Sequence, residues 1–187
     1  MPFTFEVEKA TQAVAVLLRE APPPHRDNCM RLLKLLYLAD RLSIQRTGQP
    51  ITGDRVHALP RGPVLSRVYD LMKGATSGFE QWSQHLENVG QYELQLTADP
   101  GSDQLSPFEI EILQEVWREH LGHDEFEMVE ITHQLPEWRQ HQPHDNIKNE
   151  RIPFPDILAA LGREDDLPEF LARAREDAFL NRILRRA

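Results

Sequence analysis

The stretch KLLYLADRLSIQRTGQPITGDRVHALPRGPV, which runs from Lys34 to Val64, decides the fold that this sequence predicts. Apolar residues are so dense in its first part that a helix from Asn28 to about Arg46 would have almost no polar face. A helix that is apolar all round is buried on all sides. We therefore expect this helix to lie at the centre of the molecule, and Gly48 is placed to end it.

The second part of the stretch predicts a sharp joint. Pro50, Gly53 and Pro63 are residue types that allow a chain to reverse its direction twice within a short distance. Residues Val56 to Leu59 fit a short strand. Pro63 has the character of a first helical residue, and the helix that it would open is expected to close at Gly74.

Two further helices have clear start signals. Ser106 precedes Glu109 by three residues, and Asp124 precedes Glu127 by three, so each pair predicts a capping box. Pro136 is expected to end the second of these helices. The polar residues that follow it predict a loop.

The remaining periodicity completes the predicted fold. Helical patterns occupy residues 5–20, 155–161 and 168 to the C-terminus, while VGQYELQLTAD, which starts at Val89, alternates as a strand does. The fold class is mainly α. We expect one compact domain over residues 1–187, with about seven helices around the buried central helix and a small antiparallel β-sheet.

The composition excludes several classes of protein. The 187 residues are 40% hydrophobic and 27% charged, as in ordinary globular proteins, and the formal charge of −9 argues against nucleic-acid binding. Cys29 is the single cysteine, so neither an internal disulfide nor a thiolate metal site is possible. No apolar run approaches the roughly 20 residues of a membrane span, and no signal peptide is visible. We expect a cytoplasmic protein with no membrane partner.

The charged residues beside the joint are candidates for a site. Asp40, Asp54, Arg55 and Arg61 flank the turns. The interpretation that the sequence favours is a local network, in which the carboxylates cap the helix that starts at Pro63 and pair with an arginine. A polar groove that a partner contacts is the alternative. A catalytic role is disfavoured because no set of nucleophile, base and orienting residue is visible.

The histidines raise the question of a metal site. His120 and His123 are three residues apart and Glu127 follows, but Gly122 should end the helix between the two histidines. His133, His141 and His144 are more scattered. We interpret these residues as surface histidines and expect neither a metal nor a cofactor.

Trp138 and Cys29 each allow two interpretations. Trp138 follows Leu135 and Pro136 and is either a lid on the core or an exposed anchor for a partner. Trp117 shares a helical face with Leu113 and is expected in the core. Cys29 stands at a helix start, where its pKa could be lowered, although a buried structural thiol is the favoured interpretation.

The end of the C-terminal helix has more apolar surface than one packed face can cover. Its last turns contain Phe179, Leu180, Ile183 and Leu184. They are either sandwiched between helices or form a homodimer seam, or they dock a partner protein as a helix.

Several blocks together resemble one known family. Lys34-Leu-Leu-Tyr37, then Ile51-Thr-Gly53-Asp54, then Arg61-Gly62-Pro63 follow one another in the order found in the Panacea domain, the SocA-like antitoxin family. Residues 105–122 and 131–138 extend the similarity, which is strongest over 25–180. Lys34, Tyr37, Gly53, Gly62 and Pro63 are the motif positions of structural character.

The resemblance implies an antitoxin of a bacterial toxin–antitoxin system. Such a protein neutralises a toxin, encoded by the adjacent gene, through direct binding, and such systems can serve phage defence. The alternative in the same class is a proteolytic adaptor that delivers the toxin to an ATP-dependent AAA+ protease. An enzyme of hydrolase type, using the Asp and His residues, is the alternative from another class, and the family is not known for catalysis.

Overall fold

The computed structural model describes residues 3–74, 76–144 and 149–184, and it describes side chains as far as residue 176. Within these residues the α-helices are α1 (Val7–Glu20), α2 (Cys29–Thr47), α3 (Ser66–Met72), α4 (Phe79–Trp82), α5 (Pro107–Glu119), α6 (Glu125–His133), α7 (Pro136–Gln140), α8 (Phe154–Ala160) and α9 (Leu167–Leu184). The strands are β1 (Arg26–Asn28), β2 (Val56–Leu59), β3 (Gly62–Leu65), β4 (Leu86–Val89), β5 (Glu93–Leu96) and β6 (Glu150–Ile152). A 3₁₀ turn (Glu164–Asp166) precedes α9. The predicted mainly helical fold with a small antiparallel sheet is confirmed.

Helix α2 is buried along most of its length and packs against α1, α5, α6 and β3. Asn28 caps its start, because the Asn28 side chain accepts a hydrogen bond from the Met30 N–H. It ends at Gly48, which has a φ of +79°. A Cβ at Gly48 would lie only 2.1 Å from Cε1 of Phe170, so α9 packs directly against the end of α2.

The strands of the described residues form two three-stranded antiparallel sheets. One has the order β1-β5-β4 and the other β3-β2-β6. The predicted strand Val56 to Leu59 is confirmed as β2, and the alternating stretch after Val89 contains β5. Strands β2 and β3 form a hairpin in which Leu59 pairs with Gly62 and Ala58 with Pro63.

The prediction that Pro63 opens a helix is wrong. Pro63 lies in β3, and the helix begins three residues later at Ser66. A proline has no N–H for a sheet ladder, but β3 is an edge strand, which tolerates this loss. Both a first helical turn and an edge strand accept the φ of proline, and the pairing with β2 decides between them.

The predicted polar loop after Pro136 is also wrong in part. Pro136 is the first residue of α7 rather than the end of α6, and residues 150–152 add the strand β6 to β2. Together with α4, this short helix raises the number of helices in the described residues above the expected seven. Short helices of four or five residues leave little periodicity to detect.

Both predicted capping boxes are confirmed. The side chain of Ser106 accepts a hydrogen bond from the Glu109 N–H, and Asp124 accepts from the Glu127 N–H, while each glutamate bonds back to the cap. None of the helices in the described part of the chain combines the length and apolar character that crossing a bilayer requires. In α9, Phe170 and Ala174 are buried, whereas the side chains of Phe179, Leu180, Ile183 and Leu184 lie outside the described residues.

Candidate functional site

A groove of about 890 Å³ opens between the start of α2, the β2–β3 hairpin, α3, the β4–β5 hairpin and the start of α6. We call it the Lys34 groove. Its apolar lining includes Met30, Leu33, Val64, Tyr69 and Met72. At its rim, Tyr92 is 62% exposed and Phe126 is 64% exposed. Exposed aromatic side chains beside an apolar groove are typical of a binding site.

Lys34 lies in the floor of this groove. Its side chain is buried, with 1% of the residue exposed, and its Nζ donates a hydrogen bond to the carbonyl oxygen of Pro63 at 2.8 Å. Within the described residues this is its single hydrogen bond, although a charged ammonium has three donors. Burial lowers the pKa of Lys34 to about 7.

The turn of the β2–β3 hairpin is shaped around Lys34. Gly62 has a φ of +94°, and a Cβ there would lie 3.0 Å from Nζ of Lys34 and 2.7 Å from Oγ1 of Thr132. A side chain at this position would therefore push against the ammonium as well as strain the backbone. Lys34 thus meets the motif positions Gly62 and Pro63, which are almost 30 residues away in sequence.

Cations outnumber acids around the groove. Arg61 and Lys73 are exposed and line it, and the acidic residue of the lining is Glu125. Nζ of Lys73 lies 4.8 Å from the centre of the Tyr69 ring, which fixes this charge over the apolar surface. The local charge is therefore opposite in sign to the formal charge of the whole chain.

The two aspartates of the joint lie outside the groove and are bonded internally. Asp40 accepts hydrogen bonds from the N–H and the hydroxyl of Thr52. Asp54 accepts from the N–H groups of Arg67 and Val68, at 2.8 and 3.0 Å, and so caps α3. Burial raises the pKa of Asp40 to about 7 and that of Asp54 to about 6. Both carboxylates therefore serve the local network.

The predicted candidates Arg55, Arg61 and Gly53 take separate positions. Arg55 is exposed and lines a smaller pocket of about 240 Å³ with Phe5. Gly53 has a φ of +66°, and a Cβ there would lie 2.6 Å from the carbonyl oxygen of Thr4, so the joint packs on the N-terminal segment. Of the charges that flank the joint in sequence, Arg61 is the one that lines the Lys34 groove.

Sequence reasoning missed Glu137. Its Oε1 accepts hydrogen bonds from the Tyr37 hydroxyl and from Nε of Arg41, each at 2.7 Å, and the side chain is fully buried. These contacts join α7 to α2 across about half of the chain. A glutamate in an apparently polar loop carries no sequence signal for such a contact.

Trp138 is buried under the β2–β3 hairpin. Its Nε1 donates to the carbonyl oxygen of Leu59 at 3.2 Å, and the His133 ring stacks on its indole at a centroid distance of 3.9 Å. Of the two sequence interpretations, the structure supports the lid on the core. Trp117 is likewise buried, beneath the guanidinium of Arg31.

The other predicted ligand candidates are dispersed. His120 and His123 lie side by side, with Nδ1 atoms 3.2 Å apart, and His120 is buried rather than on the surface. His141 bonds Glu150 and Asp156 at 2.6 and 2.7 Å. No group of three or more potential ligands within the described residues could hold a metal ion. Burial raises the pKa of Cys29 to about 11, opposite in sign to an activated thiol.

Comparison with known families assigns the chain to a family. The profile of the family described as antitoxin SocA-like, Panacea domain, matches residues 32–139 of the chain. The chain belongs to this family. The resemblance seen in the sequence is thereby confirmed, and the matched segment runs from α2 to α7. Comparisons with curated proteins and with solved structures give no match. In this Panacea-domain protein the matched segment contains Lys34, Arg61, Lys73 and Glu137.

Proposed function

We propose that this Panacea-domain protein is the antitoxin of a bacterial toxin–antitoxin system and neutralises a co-encoded toxin by direct binding. The observation that carries the proposal is the family match over residues 32–139, because the family is one of SocA-like antitoxins. The Lys34 groove supports a binding role, since most of its lining belongs to the matched segment.

Neutralisation in this proposal is steric. A standard protein interface of roughly 1,200–2,000 Å² would cover the working surface of a small toxin without any chemistry. The aspartates that an enzyme would use are occupied, because both oxygens of Asp40 and both of Asp54 accept hydrogen bonds from nearby residues. We therefore propose that the protein acts as a binder and not as a hydrolase.

The test is co-expression with the product of the adjacent gene. We expect that product alone to arrest growth, the pair to grow, and the two proteins to co-purify at a fixed stoichiometry. A harmless neighbour that does not bind would contradict the proposal. The purified protein should also lack hydrolase activity that depends on Asp40 or Asp54.

The same experiment separates steric neutralisation from delivery to a protease. An adaptor would rescue growth without forming a stable complex. That growth rescue would be lost in strains that lack an AAA+ protease. Growth rescue that persists in those strains, together with a stable complex of the two proteins, would identify steric neutralisation. Toxin half-life, measured after synthesis is stopped, gives the second readout.

A further inference from the structure

We propose that the Lys34 groove binds a segment of the toxin in which a carboxylate side chain is flanked by apolar side chains. This inference rests on the proposed function, which supplies the partner, and it adds the site and the chemistry of the bound segment. Neither the aspartates of the joint nor the end of α9 is required for it.

The apolar part of the site comes from several elements at once. Met30 and Leu33 of α2, Val64 of β3 and Met72 of α3 all line the groove, and Tyr92 and Phe126 of its lining are exposed. Aromatic and methionine side chains are enriched at protein interfaces, and methionine adapts to irregular partner surfaces. Such a surface favours apolar side chains in the bound segment.

The charged part of the site specifies an anion. Arg61 in the β2–β3 turn and Lys73 at the end of α3 line the groove together with the buried Lys34. Glu125 is the acidic residue of this lining. The Arg61 guanidinium makes no hydrogen bond or ion pair with another residue in the described part of the chain. A carboxylate placed over the floor would therefore meet a cation with free donors.

Lys34 is costly to keep where it is. A buried ammonium with one acceptor loses most of its hydration, and a neighbouring carboxylate compensates for this loss most effectively at low local dielectric. Burial lowers the pKa of Lys34, which reflects that cost, and Lys34 forms no ion pair with a carboxylate in the described part of the chain. An anion over the floor would therefore stabilise the charged form of Lys34.

A single carboxylate fits better than a polyanion. The apolar lining would remain uncovered by a nucleic-acid backbone or by a small inorganic anion. The formal charge of −9 also repels a polyanion before it reaches the groove. A protein segment with one acidic side chain satisfies the cations and covers the apolar lining together.

The experiment measures the dissociation constant of the toxin for a matched set of variants. Arg61→Glu reverses a charge at the groove, Lys34→Met removes the ammonium and keeps the buried volume, and Arg118→Glu makes the same charge change on the exposed face of α5, outside the groove lining. We expect both groove variants to bind at least about tenfold more weakly and Arg118→Glu to bind within about twofold of the parent. Circular dichroism and urea unfolding of each variant exclude misfolding.

A charge swap then identifies the bound segment. Overlapping peptides from the toxin are screened against the protein, and the binding peptides are expected to carry Asp or Glu between apolar residues. Changing that acid to Arg in the toxin should weaken binding to the parent and restore binding to Arg61→Glu. If the parent binds the toxin and the groove variants bind it equally well, this inference fails and the proposed function stands. If the neighbouring protein neither arrests growth nor binds, both fail.

Discussion

At the scale of single residues, Asp40 makes the stability of the protein depend on pH. Its pKa is raised from an ordinary value of 3.8 to about 7, because burial disfavours the charged form. The folded protein therefore holds a proton that the unfolded chain releases near pH 4. The contribution of Asp40 to stability should fall by up to about 4 kcal/mol as the pH rises from about 4 to about 7, and should then level off.

The variant Asp40→Asn should remove much of this dependence. Its amide oxygen still accepts from the Thr52 N–H, and its amide nitrogen donates to the Thr52 hydroxyl, so the joint keeps its contacts. We expect urea midpoints that change less between pH 5 and pH 7.5 than those of the parent, with Asp165→Asn on the exposed surface as the control. Asp54, whose pKa is also raised by burial, contributes to the slope that remains. Equal slopes in parent and variant would contradict the assignment.

Lys34 should show the opposite dependence on pH. Its folded-state pKa of about 7 lies below the ordinary 10.5, so burial of the charge costs stability below pH 7, and the cost fades as the pH rises towards 10.5. Lys34→Met removes this cost and should stabilise the protein by roughly 2–4 kcal/mol at pH 7. The loss of the hydrogen bond to the Pro63 carbonyl reduces this gain. The gain should shrink by pH 10, as urea unfolding at both pH values will show. If Lys34→Met were less stable than the parent, the claim that the buried charge of Lys34 lowers the stability of the protein would be refuted.

Individual roles could be predicted from the sequence where the partners are close along the chain. The local network of Asp40 and Asp54 is an example, since Thr52 and Val68 lie 12 and 14 residues away. Glu137 could not be predicted, because Tyr37 is 100 residues away. The hydrogen bond from Lys34 to the Pro63 carbonyl was equally hidden, since it depends on how the β2–β3 hairpin packs on α2.

At the scale of elements, local signals decided what was predicted correctly. The two capping boxes and the end of α2 at Gly48 depend on neighbouring residues, and all three are confirmed. Pro63 was assigned to the wrong element because its φ suits a helix start and an edge strand alike. Only the pairing of β3 with β2 resolves this choice, and that pairing is a tertiary property.

Helix α7 is held to α2 by one buried carboxylate. Glu137→Ala would leave the Tyr37 hydroxyl and the Arg41 side chain without their acceptor, and we expect a loss of about 3 kcal/mol. Glu137→Gln keeps an acceptor oxygen and should cost less. Glu130→Ala, on the exposed side of α6, is the matched control and should change stability by under about 0.5 kcal/mol. Urea unfolding measures all three, and equal losses for Glu137→Ala and Glu130→Ala would contradict the role of this contact.

The C-terminal helix tests where the partner binds. A chain that ends after Asp177 keeps Phe170, which packs on Gly48, and Ala174, both buried. We expect this fragment to fold and to bind the toxin within about threefold of the full chain, because the Lys34 groove is intact. A folded fragment that no longer binds would instead place the interface on the last turns, which contain Phe179, Leu180, Ile183 and Leu184.

At the scale of the whole molecule, two fields of opposite sign act at different distances. The formal charge of −9 acts on an approaching partner over a Debye length of about 8–10 Å. The cations of the Lys34 groove act on the groups that enter it. A basic toxin with an acidic docking segment would complement both charges. The net negative charge would attract the toxin at a distance, and the cations of the groove would bind its acidic segment at contact.

Salt should therefore affect the two rate constants differently. Electrostatic steering raises association rates, and contact charges chiefly control dissociation. We expect the association rate constant to fall by about tenfold or more as NaCl rises from about 50 to about 500 mM. Glu111→Lys, which makes the exposed face of α5 less acidic, should slow association at low salt, whereas Arg61→Glu should mainly speed dissociation. Stopped-flow and surface-binding kinetics separate these effects. An association rate constant that is low and independent of salt would show that the acidic surface attracts no basic toxin. The groove contacts would then be tested by the dissociation rate constant alone.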